Sequence, residues 1–157
     1  MAEGAGSVGR GRVMRQTQRV VIYGNPRGKG RPRFAFKGGH AYTDAATTEY
    51  EGRVLKAWKC ENNFTFTDKA PISVFIKAYF PVPVSYSKKK RAALFDTPFT
   101  GKPDADNIAK IILDGLNHKD GAWKDDAQID VLVVTKRYVS SDAEQPRVEV
   151  EVTGGEE

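Results

Sequence analysis

Apolar and polar residues alternate most strictly in PRVEVEVT (146–153), where Val148, Val150 and Val152 are set against Arg147, Glu149 and Glu151. A period of two predicts a strand with one buried face and one wet face. PISVFIKAYFPV (71–82) repeats the pattern, with Ile72, Val74, Ile76, Ala78 and Phe80 on one side. QRVVIYG (18–24) and AQIDVLVVTKRYV (127–139) read as two more strands, the first stopping at Gly24-Asn25-Pro26. From Asp44 to Glu61 the period lengthens, and Tyr50, Val54, Ala57 and Trp58 make one helical face. A second helix is predicted from Asp104 to Asn117. Ile108, Ile111, Ile112 and Leu116 form its apolar stripe, with Asp106, Lys110 and Asp114 on nearly the opposite side. A short helix through KKKRAALF has Ser85 or Ser87 as its cap. Residues 25–43, rich in Gly, Pro and Arg, read as an extended loop or irregular hairpin, and DTPFTGKP (96–103) as a loop. The order β-loop-α-β-α-α-β-β predicts an α/β domain of the α+β type, with a small mixed sheet flanked by helices.

Length agrees with that count, since 157 residues make one domain with a real core. The compact domain is expected over 18–153, after a flexible basic segment (1–17) and before a disordered tail (154–157). No apolar run approaches the length of a membrane span. The first dozen residues have no apolar centre of the secretory kind. Cys60 has no second cysteine to pair with, which points to a reducing compartment. With only His40 and His118 beside it, a standard structural zinc site is excluded.

Charge changes the picture more. The net value is +5, yet residues 1–43 alone carry +8 and the remainder −3. A second basic knot, Lys88, Lys89, Lys90 and Arg91, lies just before an acidic motif. Basic segments around an acidic centre suit a polyanion held over bound cations. A solvated, solubilising face is the plainer account of the same residues.

The acidic motif is KPDADNIAKIILDGLN (102–117), followed by WKDD (123–126). Carboxylates at a helix start complement its dipole and cap it. One acid suffices for capping, so Asp104 and Asp106 together call for a further reason. A divalent cation offsets their repulsion, and a few hard oxygen ligands suit Mg²⁺ or Mn²⁺. Asp125 or Asp126 supplies a third carboxylate if the helix and the following strand form a hairpin-like pair. Lys110, one turn beyond Asp106, either offsets charge on a scissile phosphate or pairs with Asp106 along the helix. The combination points to metal-assisted phosphodiester cleavage.

These residues resemble the RusA family of Holliday junction resolvases, whose pattern is P-D-x-D-N-x-x-K-x-x-x-D-x-L-N and then W-x-D-D-x-Q. Upstream, GKGRPRF, AYT and a helix containing YE are also similar to that family. The resemblance runs over about 18–153 and is sharpest at 102–128. It implies a RusA-like fold and a homodimeric endonuclease that nicks four-way DNA junctions with Mg²⁺ or Mn²⁺, in the cytoplasm of a bacterial host cell. It implies metal ligands at Asp104, Asp106 and Asp126, in preference to Asp125, and a catalytic lysine at Lys110. Other branched DNA, such as flaps and forks, is the alternative substrate. A non-catalytic DNA-binding protein is the alternative class.

Arg27, Lys29, Arg31, Arg33 and Lys37 are expected to follow the phosphate backbone, with Gly28 and Gly30 allowing close approach. Lys88, Lys89, Lys90 and Arg91 have the same reading. Phe34, Phe36 and Tyr42 are expected to pack, with stacking at a branch point as the alternative. Trp123 is expected to anchor the loop that carries Asp126. Asn107 either supports the site or makes a helix-start hydrogen bond, Gln128 either supports the site or is simply exposed, and His118 is expected to be solvated.

Overall fold

The structure, a computed structural model, describes residues 15–31, 33–34, 38–67 and 69–155, with Arg33 described by its backbone alone. Lys37 and Phe36 lie outside the described residues, as does most of the expected lead-in. Four strands form one sheet in the order β1 (Gln16–Tyr23), β6 (Arg147–Gly154), β4 (Ile72–Phe80) and β5 (Ile129–Tyr138). Only β4 and β5 run parallel. A parallel pair needs a long crossover. Here it contains α2 (Lys88–Leu94) and α3 (Ala105–Leu116). A short ribbon, β2 (Arg33–Phe34) with β3 (Ala41–Tyr42), precedes α1 (Ala45–Glu61).

The expected mixed sheet is present, with α1 and α3 packed on one of its faces. The alternating residues of β4, from Ile72 to Phe80, meet Val148, Val150 and Val152 of β6 and Val20 and Ile22 of β1. Tyr50, Val54 and Trp58 of α1 and Ile108, Ile111, Ile112 and Leu116 of α3 close over them. Each helix thus buries the stripe read from its periodicity. The other sheet face is wetter, exposing Phe75 among charged neighbours such as Arg19, Lys77 and Glu151.

Ends are set by side chains. Asp44 caps α1 by accepting from the Thr47 N–H at 2.8 Å, and Ser87 caps α2 by accepting from the Lys90 N–H at 3.2 Å. Strand β1 starts at Gln16, inside the segment expected to be flexible, because Gln16 pairs with Gly154 and Thr17 with Thr153. Gly154 therefore closes β6 and does not begin a disordered tail.

Helices α1 and α3 meet at Gly115. A Cβ there would lie 2.8 Å from Val54 Cβ and 3.1 Å from the Glu51 carbonyl oxygen. Alanine normally gains about 1 kcal/mol over glycine inside a helix. Overpacking of about 1–3 kcal/mol opposes that gain. Urea unfolding of Gly115→Ala should therefore show a net loss of stability. A neutral or stabilising Gly115→Ala would mean that the two helices do not touch so closely.

Candidate active site

The mouth of α3 is built by the loop before it. Residues 97–99 lie along the outer edge of β5, where the Phe99 N–H donates to the Lys136 carbonyl at 3.0 Å. The Tyr138 N–H donates to the Thr97 carbonyl at 2.9 Å. The Phe99 ring stacks on Phe80 at 3.8 Å between centroids and meets Tyr138 edge-on at 5.1 Å. Lys136 then reaches past that ring. Its ammonium donates to the carbonyls of Gly101 at 2.7 Å and Pro103 at 2.8 Å. The Lys102–Pro103 peptide is cis.

Asp104 is the N-cap residue of α3 through its backbone, with its carbonyl accepting from the Ile108 N–H at 3.1 Å. Its carboxylate makes no capping hydrogen bond. Instead Oδ1 accepts from Lys102 Nζ at 2.9 Å. The Lys102 ammonium, helped by the charge of Lys136, holds the Asp104 carboxyl below the usual carboxylate range. Asp106 in the first turn and Lys110 one turn later are both exposed. Neither side chain has a hydrogen bond or ion pair among the described residues. The acids at this helix mouth are therefore not consumed by capping.

The basic loop lies directly on this helix. The Lys29 N–H donates to the Asn107 carbonyl at 2.9 Å. A Cβ on Gly28 would sit 2.7 Å from Pro103 Cβ, so only glycine allows this approach. Asn107 is thus tied to the loop through its backbone. The Lys29 ammonium turns inward, 2.6 Å from Glu51 Oε2 and 2.8 Å from Asp114 Oδ2. Burial lowers its pKa, and the two carboxylates outweigh that, leaving it raised. Arg27 and Arg31 remain exposed.

Of the second basic run, Lys88, Lys89 and Lys90 are exposed, with Lys90 Nζ 3.7 Å over the Tyr86 ring. Arg91 is committed elsewhere. It grips Asp142 at 2.6 and 2.7 Å and donates to the carbonyls of Val82 and Pro83.

Trp123 is fully buried and donates from Nε1 to Asp126 Oδ1 at 2.7 Å, so it anchors the loop as expected. Asp125 accepts from the Ala127 N–H and caps the 3-10 turn Asp126–Gln128. Gln128 ties that turn to the Thr67 and Ala70 carbonyls. His118 is half exposed, with Nδ1 accepting from the Asp120 N–H.

The helix and following strand do not bring Asp126 to the acid pair. The chain reverses at the C-terminal end of α3, where Asn117 bridges to Trp123, and Asp126 stays at that end. Asp104 and Asp106 are at the other end, about 18 Å away for a helix of 12 residues. Among the described residues no three acids, histidines or cysteines converge on one point. Asp104 and Asp106 suit two oxygen ligands of a hard cation, and Asp126 of the same chain does not join them. Lys136 and Phe99, which shape the mouth, have no sequence signal, because their contacts exist only after folding.

A pattern for endodeoxyribonucleases matches residues 23–153 under the description Endodeoxyribonuclease RusA. The chain belongs to the RusA family. Over 137 residues it is 34% identical to a Bacillus subtilis (strain 168) protein called uncharacterized protein YqaN. That alignment covers 84% of this chain and 92% of the relative. No helix among the described residues is long and apolar enough to cross a membrane.

Removing the ammonium beside Asp104 should raise its titration midpoint toward the ordinary carboxylate range. Carbonyl-carbon NMR titration of wild type and Lys102→Ala measures this directly. An unchanged Asp104 midpoint would mean that the pair does not persist in solution.

Proposed function

We propose that this protein is a divalent-metal-dependent endonuclease that resolves four-way DNA junctions by paired, symmetric nicks, acting as a homodimer. The observation that carries the reading is the α3 mouth. Two exposed acids and Lys110 stand there beneath a basic loop, in a chain of the RusA family. Asp104 and Asp106 would gather Mg²⁺ or Mn²⁺. Such an ion supplies polarisation of the scissile phosphate and activation of water. In the hydrolysis a water oxygen bonds to phosphorus, the bond to the leaving sugar oxygen breaks, and that oxygen takes up a proton. Lys110 offsets the negative charge that gathers on the phosphate. Arg27 and Arg31 hold the neighbouring backbone.

Strand β5 supports the dimer. It is an edge strand, exposing Val131, Leu132 and Val133. Its Lys136 and Tyr138 edge groups are taken by residues 97–99, while the same edge at Leu132 and Val134 has no backbone partner among the described residues. An unpaired apolar edge invites another strand. Antiparallel pairing with β5 of a second copy about Leu132 sets the start of one strand beside the end of the other. The second copy's Asp126 would then approach the end of β5 where Lys136 holds Gly101 and Pro103. The separation of Asp126 from Asp104 within one chain fits a site shared in this way.

Wild type should nick a synthetic four-way junction symmetrically and leave a matched linear duplex intact. Cleavage should vanish in EDTA and in Asp106→Asn, with junction binding retained. Binding without cleavage under either metal would favour a non-catalytic DNA-binding protein. Equal cutting of forks or duplex would keep the chemistry and reject the substrate.

Mixing tests the shared site. Asp106→Asn and Asp126→Asn are each expected to be inactive alone. A mixed dimer keeps one intact site if Asp126 serves the partner, so nicking of one strand should return on subunit exchange. No recovery in dimers proven mixed by mass would place Asp126 within its own chain's site or outside catalysis.

A further inference from the structure

The ribbon β2–β3 leaves two large rings in water. Phe34 is 69% exposed and Tyr42 is 51% exposed. A single exposed aromatic needs no explanation. These two share one two-stranded ribbon, whose strands, among the described residues, pack chiefly on each other. Arg33 pairs with Tyr42, and Phe34 with Ala41. Residues directly opposite share a face, and successive residues alternate faces. Phe34 and Tyr42 therefore belong to opposite faces of the ribbon, one ring on each side of a thin blade.

Both roots of the blade are fixed near the acid mouth. Gly30, which leads into it, donates its N–H to Thr47 Oγ1 at 3.1 Å, beside Asp44, which follows it. Gly28, two residues earlier, rests on Pro103 and Asn107. Phe34 is six residues from Gly28, so it stays within about 20 Å of the start of α3. That reach spans about six nucleotides of one strand. Exposed Arg31 lies along the way, and exposed Arg27 stands just before Gly28.

We propose that Phe34 and Tyr42 are a specificity-determining pair that stacks on exposed bases at the branch point, one ring against each of two arms. This deepens the junction-resolving reading and rests on it. A linear duplex offers no open base faces and gains nothing from such a blade. A junction opened at its centre offers them, and aromatic faces accept any base.

The test uses the full chain in EDTA, so that no cutting intervenes. Binding to a four-way junction and to a linear duplex is compared for wild type, Phe34→Ala, Tyr42→Ala and Phe34→Trp. Each alanine should weaken junction binding about five- to hundredfold. Duplex binding should change less than about twofold, and Phe34→Trp should keep the wild-type preference. A 2-aminopurine beside the branch point should be quenched by wild type and Phe34→Trp, and less by Phe34→Ala. Unchanged junction preference in both alanine variants overturns the proposal. An equal loss on junction and duplex also overturns it, making the ribbon a general DNA contact. A wild type that does not prefer the junction refutes the underlying reading instead, before any variant is compared.

Discussion

The ammonium of Lys136 donates to the carbonyl oxygens of Gly101 and Pro103, and through them sets where α3 begins. Hydrogen bonds to a charged donor contribute about 1.5–3 kcal/mol when partly shielded from water. Those carbonyls belong to the two residues flanking Lys102, one of them adjacent to Asp104. The position of the first acid is thus referred to strand β5. The stack of Phe99 on Phe80 joins the same loop to β4. A flexible Pro/Gly segment is held at a strand end by one cation and one ring, which gives a loop-borne carboxylate the placement of a core residue.

Electrostatics then divide the basic residues into two kinds. Lys29 and Arg91 are structural cations, each facing a carboxylate and each joining separate parts of the chain. Drawing either toward DNA phosphate would strip charged partners of their counter-charge. Arg27, Arg31, Lys88, Lys89 and Lys90 carry no such obligation in the ion pairs of the described residues. They can exchange solvent ions for phosphate, the usual source of salt-dependent affinity. A run of basic residues in sequence is therefore not one surface. Folding turns some inward and leaves the rest exposed at the surface.

Much of the fold was legible because its periods are strong. The Val/Glu alternation of β6, the stripe of α3 and the Asp44 cap each name an element and its buried side. The polar Gln16 and Thr17 gave no such signal, since their strand character comes only from pairing with β6. Asp104, Asp106 and Lys110 were legible as a local group because one helix end carries them all. Asp126 was not legible in the same way, and within one chain it lies at the far end of α3 from them. A short loop between helix and strand suggests proximity, but the reversal happens at the far end of α3, and a helix of that length keeps its two ends apart. Lys136 could not be read at all, for nothing in TKRYV tells which lysine will turn toward a loop that lies 33 residues earlier.

The edge of β5 links this missing acid to the exposed valines beside it. Within one chain, two facts stand unexplained: a carboxylate fastened by a buried tryptophan at the wrong end of the helix, and an apolar strand with an open edge. Separate explanations are available for each. Asp126 can serve only to hold its turn, and an exposed edge can be a tolerated liability. A two-fold pairing through β5 accounts for both with one contact, because the strand that covers the apolar edge also carries its own Asp126 toward the opposite mouth. Such a pairing would also set two cleavage sites by symmetry, as the proposed paired nicking requires. The Trp123 bond would then have a purpose beyond folding. In the proposed dimer it would hold Asp126 in place before the partner arrives, so that docking the strands would also bring Asp126 to the other chain's acids.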